Sequence, residues 1–173
     1  MKNRSTVQVW CRAALWAGLA VVLVSGGTTA NAVGHCHPDE RAIFSCALRN
    51  GKTVSVCSSQ ALSADEGYLQ CRYGRPGRIE LEYPTIRNGS QARFEFESHR
   101  PYQGEYENLE FEKDGHRYSI YRVLTNESGQ KNSAGIRVHR LSADQTSPLV
   151  DTLCKAPLVP PSMGLEMIVN EAK

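Results

Sequence analysis

From Tyr68 onward the chain falls into short runs in which apolar and polar residues alternate, and turn residues close each run. A period of two sends one set of side chains into a core and the other into water, so the runs read as half-buried β-strands. Arg93-Phe94-Glu95-Phe96-Glu97 shows the pattern most plainly, with two aromatics on one face and two carboxylates on the other. Asp114-Gly115 is the strongest hairpin signal, because both residues tolerate the positive φ of a type I′ turn. It pairs Glu112 with Arg117, Phe111 with Tyr118 and Leu109 with Ile120. Gly135 to Leu141 and Leu149 to Cys154 supply two further strands, for about eight to nine in all. The expected fold class is therefore all-β, an antiparallel sandwich or barrel stapled by disulfides.

Residues 1–32 stand apart from this pattern. Lys2, Arg4 and Arg12 precede the apolar run Ala13 to Val24, and Ala30-Asn31-Ala32 supplies an A-x-A cleavage site. That is the layout of a secretory signal peptide. The twelve-residue apolar run falls short of the roughly 20 residues a spanning helix needs. Cleavage after Ala32 leaves one β domain over 33–155 and a C-terminal tail over 156–173, which opens with prolines and reads as loosely attached. The leader carries three of the 20 basic residues and no acidic one, so 17 Lys plus Arg face 18 Asp plus Glu in the remainder. A net charge near −1 removes the electrostatic case for nucleic acid or an anionic membrane as partner.

Cys11 leaves with the leader, and Cys36, Cys46, Cys57, Cys71 and Cys154 remain, an odd number for a compartment in which disulfides form. If Gly51-Lys52 forms a type II′ turn, Cys46 lies opposite Cys57 and a cross-strand bridge is accessible. If Asn50-Gly51 forms a type I′ turn, Cys46 faces Ser55 and the two cysteines are diagonal. The first arrangement is the expectation adopted. In the next hairpin a five-residue loop Gly74 to Arg78 sets Cys71 opposite Leu81 and Arg72 opposite Glu80, which separates core from surface on both strands. Cys71 then points into the core as the unpaired thiol. Elimination leaves Cys36 to pair with Cys154.

Three segments read as long connections that could carry binding: Ser98 to Asn108, Thr125 to Ser133 and Ser142 to Pro148. Arg100, Tyr102 and Tyr106 are the side chains best suited to anchor a protein partner there. The motifs of serine hydrolases, zinc proteases, P-loop enzymes and dinucleotide binders are missing. Glutamates 80, 82, 95, 97, 110 and 112 could pair for glycoside chemistry. They alternate with apolar residues and several face an arginine, which is the pattern of a solvated sheet face. His99, His116 and His139 fall in separate elements. A cleaved N-terminus Val33-Gly34-His35-Cys36-His37 offers a different chemistry. Its amine, two backbone amides and the His35 imidazole form a square-planar site for Cu(II) or Ni(II), with His37 beside it.

The runs Ile43-Phe44-Ser45-Cys46, Gly51 to Cys57, Tyr68-Leu69-Gln70, Arg72-Tyr73-Gly74 and Ile79 to Pro84 resemble a signature of small exported proteins of Gram-negative bacteria that lack an assigned function. In outline, a small β-domain opening with a cysteine-bearing hairpin is also similar to bacterial lysozyme inhibitors and to periplasmic immunity proteins. That likeness implies an architecture and carries no residue across. The functional expectation is an exported, non-enzymatic domain, periplasmic or secreted, that binds a protein such as a cell-wall hydrolase. Copper or nickel handling through the N-terminus and a purely structural envelope role are the alternatives.

Overall fold

Two β-sheets pack face to face in the computed structural model, which describes residues 34–102, 104–126, 128, 131–142, 147–155 and 161–171. The leader and Val33 lie outside the described residues. The first sheet runs β1 (Arg41–Ala47), β2 (Thr53–Ser58), β3 (Leu69–Arg75) and β4 (Arg78–Tyr83), in that spatial order. The second has the order β10-β5-β6-β7-β8-β9. Its members are β5 (Glu95–His99), β6 (Gly104–Lys113), β7 (His116–Thr125), β8 (Ser133–Arg140), β9 (Val150–Leu153) and the two-residue β10 (Asn170–Glu171). Neighbouring strands are antiparallel except β10, which runs parallel to β5. The expected all-β sandwich is the observed architecture, with two separate sheets in place of a closed barrel.

The β6–β7 hairpin follows the local turn chemistry. Asp114 and Gly115 have φ of 51° and 72°, and the register sets Glu112 opposite Arg117, Phe111 opposite Tyr118 and Leu109 opposite Ile120, as expected. Phe111 is thereby stacked between Tyr83 and Tyr118, at centroid distances of 4.4 and 4.9 Å. Phe94 meets Tyr83 and Phe111 edge-on. Each such contact adds about 0.5–1.5 kcal/mol beyond burial, and together they close the core where β4 meets β6.

The β1–β2 hairpin departs from expectation. Its strands are joined by the five residues Leu48–Lys52, with Gly51 at φ 81° and the Lys52 N–H donating to Asn50 Oδ1. Cys46 therefore faces Val54, and a bulge at Ile43 puts Cys57 opposite Ala42. Cys46 belongs to the core cluster with Val54 and Val56, whereas Cys57 lies on the other face of the sheet. A Cys46 to Cys57 bridge is thus excluded, and the Cys36 to Cys154 pairing falls with it. The bonds are Cys36–Cys57 and Cys46–Cys154. The longer loop is selected by Leu48, which is fully buried and bridges Cys154 beyond the end of β9. The Arg49 N–H donates to Leu153 O at 2.9 Å and the Lys155 N–H to Ala47 O at 2.8 Å, so backbone and disulfide join the sheets at one corner.

Cys71 is free and fully buried, as expected. Its hairpin turns on only Pro76-Gly77, however, and a bulge after Ile79 takes up the slack, so Cys71 pairs with Tyr83 and Arg72 with Glu82. The shift is two residues, an even number, and leaves the side chains from Leu81 to Tyr83 on their expected faces, whereas the bulge puts Ile79 opposite Gly74 and turns it out to 42% exposure. The described part of the tail, residues 161–171, is no loose appendage. Met163, Leu165 and Val169 are core residues, Leu165 with no exposure at all.

Candidate functional site

Arg100, Tyr102 and Tyr106 were expected to share a loop. The structure divides them, because β5 and β6 extend to His99 opposite Tyr106 and leave only a short tip between His99 and Gly104. Arg100 and Tyr102 occupy that tip, and Tyr102 is completely exposed at 101%. Tyr106 is instead a strand residue, its ring stacked with His99 at 6.4 Å. Burial, with the negative charges of Glu97 and Glu110, pushes its hydroxyl pKa up. The second expected loop, 125–133, lies partly outside the described residues; the Thr125 N–H donates to Asn132 Oδ1 across its base.

The hairpin tip is held from below. Arg100 Nε donates to Glu105 at 3.1 Å and its Nη2 to Glu166 at 2.9 Å, so one guanidinium ties the tip to the C-terminal segment. Arg122 Nη1 reaches Glu105 at 2.8 Å and the fully buried Glu107 at 3.2 Å. The Arg122 hydrogen bond, joined by that of Arg100, holds the Glu105 carboxyl below the usual range against a smaller effect of burial. Glu107 also accepts from the Ser162 hydroxyl and the Met163 N–H. Charges on the inward side of a sheet are costly unless paired; here the C-terminal segment and Arg122 together satisfy them. Met167, next to Glu166, is 88% exposed. An exposed aromatic and an exposed thioether thus flank an ion pair on a fixed base.

The described N-terminal segment is tied down along its length. Residues 34–40 cross the outer face of the first sheet, tied by Cys36–Cys57. The His35 N–H donates to Ser55 Oγ at 3.0 Å and its ring Nε2 lies 3.2 Å from Gly74 O. A four-nitrogen site needs that amide deprotonated and that imidazole free; in this fold both groups of His35 have partners, and Val33 lies outside the described residues. Under the segment, Glu40 receives Arg72 Nη1 and Nη2 at 2.5 and 2.8 Å, the Tyr68 hydroxyl at 2.7 Å and the His37 N–H at 2.7 Å. Burial alone would raise the Glu40 pKa, but these donors and the Arg72 charge bring it down to about 2. Cys36, Cys57 and Glu40 form the one metal-spaced group among the described residues. Its sulfurs are bonded to each other and its carboxylate to Arg72. This network was invisible in the sequence because Glu40 and Arg72 lie 32 positions apart with no periodic relation.

The glutamates divide likewise. Glu80 pairs with Lys52 at 2.6 Å, Glu82 with Arg72 at 2.9 Å and Glu97 with His99 at 2.7 Å. Glu95, Glu110 and Glu112 come together in a cleft of about 210 Å³ shared with Tyr83, Ala92, Arg93, Phe94, Phe111 and Arg117. Arg117 bonds Glu112 at 2.8 Å and sits 3.9 Å from Glu110, which also accepts from Asn108 and Ser119. His116 bonds the Asp114 carbonyl, and the three histidines do not converge.

No protein-family model, curated protein or solved structure matches this chain. The two disulfides point to a compartment outside the reducing cytoplasm. Among the described residues no helix is long and apolar enough to cross a membrane.

Proposed function

We propose that the chain is an exported, periplasmic or secreted domain that binds a protein through the tip of its β5–β6 hairpin, with a cell-wall hydrolase as the partner class. The observation that carries this reading is the full exposure of Tyr102 on a tip whose base Arg100 fixes to both Glu105 and Glu166. A rigid aromatic loses little conformational freedom on binding, and such residues dominate interface energetics. The resemblance in outline that the sequence bears to small periplasmic inhibitors motivates the partner class. The leader-like residues 1–32 support export.

The test is a purified panel of peptidoglycan hydrolases, assayed for activity and for binding by calorimetry against the chain beginning at Val33. The expected result is stoichiometric inhibition of one hydrolase class, with affinity lowered at least about tenfold by Tyr102→Ala, which is roughly 1.4 kcal/mol. Absence of any binding across the panel, or binding indifferent to Tyr102→Ala, removes the proposal.

A further inference from the structure

The second sheet has a gap in its hydrogen-bonded edge. β5 pairs with β6 from His99 opposite Tyr106 only as far as Glu95 opposite Glu110, while β6 continues to Lys113 and stays paired there with β7. On the β5 side, residues 111–113 of β6 have no neighbouring strand among the described residues. The cleft containing Glu95 and Glu110 lies at this place, and three consecutive β6 residues, Glu110, Phe111 and Glu112, line it. Consecutive strand residues point to opposite faces, so a wall made of all three presents the backbone edge itself. Half-buried Tyr83 supplies apolar surface, and the buried Phe94 and Phe111 form the floor beneath it.

Two charges at the cleft have no direct partner. Arg117 is engaged by Glu112 and Glu110 and stands in the field of Glu95, whereas Arg93 and Glu95 form no ion pair or side-chain hydrogen bond among the described residues. An open strand edge, aromatic walls and one cation with one anion are the complement of a short peptide. Its amides pair with a sheet edge, its side chain lies against Tyr83, and its ends carry opposite charges. A volume of about 210 Å³ suits one or two residues rather than a longer strand.

We propose that this cleft binds a zwitterionic peptide of about dipeptide size, with its carboxylate at Arg93, its ammonium at Glu95 and its backbone on the open edge of β6. The site is independent of the Tyr102 tip, since the two lie at opposite ends of the β5–β6 hairpin.

The experiment is an amide NMR titration of the ¹⁵N-labelled chain beginning at Val33 with Ala-Phe at millimolar concentration. Parallel arms use the N-acetylated, the C-amidated and the doubly blocked peptide. Shifts at Phe111 and Glu112 are expected for the zwitterion, with affinity reduced about tenfold by blocking either end, as loss of one charge-assisted contact implies. Arg93→Ala and Glu95→Gln, both at exposed positions, are expected to do the same while amide dispersion stays native, and Tyr102→Ala to change nothing. No shift at the β6 edge, equal binding of the blocked peptides, or insensitivity to both cleft variants overturns the proposal.

Discussion

Arg72 and Glu40 form a doubly hydrogen-bonded ion pair, at 2.5 and 2.8 Å, whose side chains are 0% and 1% exposed. Glu82, Gln70 and the His35 carbonyl take the remaining Arg72 donors. Because the N-terminal segment lies over this pair, the ion pair and the Cys36–Cys57 bond stabilise the same stretch of chain.

Acid should release that stretch. Glu40 ionises at about 2 in the fold against 4.5 when unfolded, so its contribution is complete above about 4.5 and is lost as pH falls toward 2. The shift corresponds to about 3 kcal/mol. Denaturation at pH 7 and at pH 2.5 should show a loss in the wild type that Glu40→Gln does not share. Parallel pH profiles for the two proteins would contradict the assignment.

Cys71 should be chemically silent. Burial pushes its thiol up to about 12, only partly offset by the Arg72 charge, and thiolate is the reactive form. For the chain beginning at Val33, iodoacetamide at pH 8 should leave the native protein unlabelled and add one carbamidomethyl group after unfolding without reductant. Labelling of the native protein would mean the β3 face is accessible.

The two bridges should differ in strength. Cys46–Cys154 spans 108 positions and Cys36–Cys57 spans 21. On loop-closure entropy the longer link stabilises by about 1.5 kcal/mol more. Urea midpoints of Cys154→Ser and Cys36→Ser check the order, and non-reducing peptide maps check the pairing. A Cys46 peptide linked to Cys57 is the outcome that would refute it.

The C-terminal segment offers an internal control. Leu165→Ala should cost about 2–5 kcal/mol, as for a fully buried leucine. Met167→Ala, two positions on and 88% exposed, should fall within about 0.5 kcal/mol of wild type. Equal effects would mean that the segment does not fill the core.

What could be read from the sequence follows the range of the interaction that decides each feature. The β6–β7 register was legible because Asp114-Gly115 fixes it within two residues. The faces of Cys71, Tyr73, Leu81 and Tyr83 survived a misplaced turn because an even shift preserves parity, while Ile79, beyond the bulge, turned outward. The β1–β2 register failed because it is set by Leu48, whose partner Cys154 lies over a hundred positions away. Tyr106 was misplaced because Pro101 and Gly104 make the whole stretch look irregular, although only the tip is. The β6 edge gap has no sequence signature, since it depends on where a neighbouring strand stops.

The crossed cystine pattern also constrains the order of maturation. A chain emerging N-terminus first presents Cys36, Cys46 and Cys57 while the partner of Cys46 is still almost a hundred residues behind. Oxidation by first encounter couples neighbours, and each such early coupling that involves Cys46 must be undone before β1 can meet β9. Where such couplings form first, the domain can reach its final form only through thiol exchange, and a host that oxidises without shuffling is expected to accumulate trapped isomers.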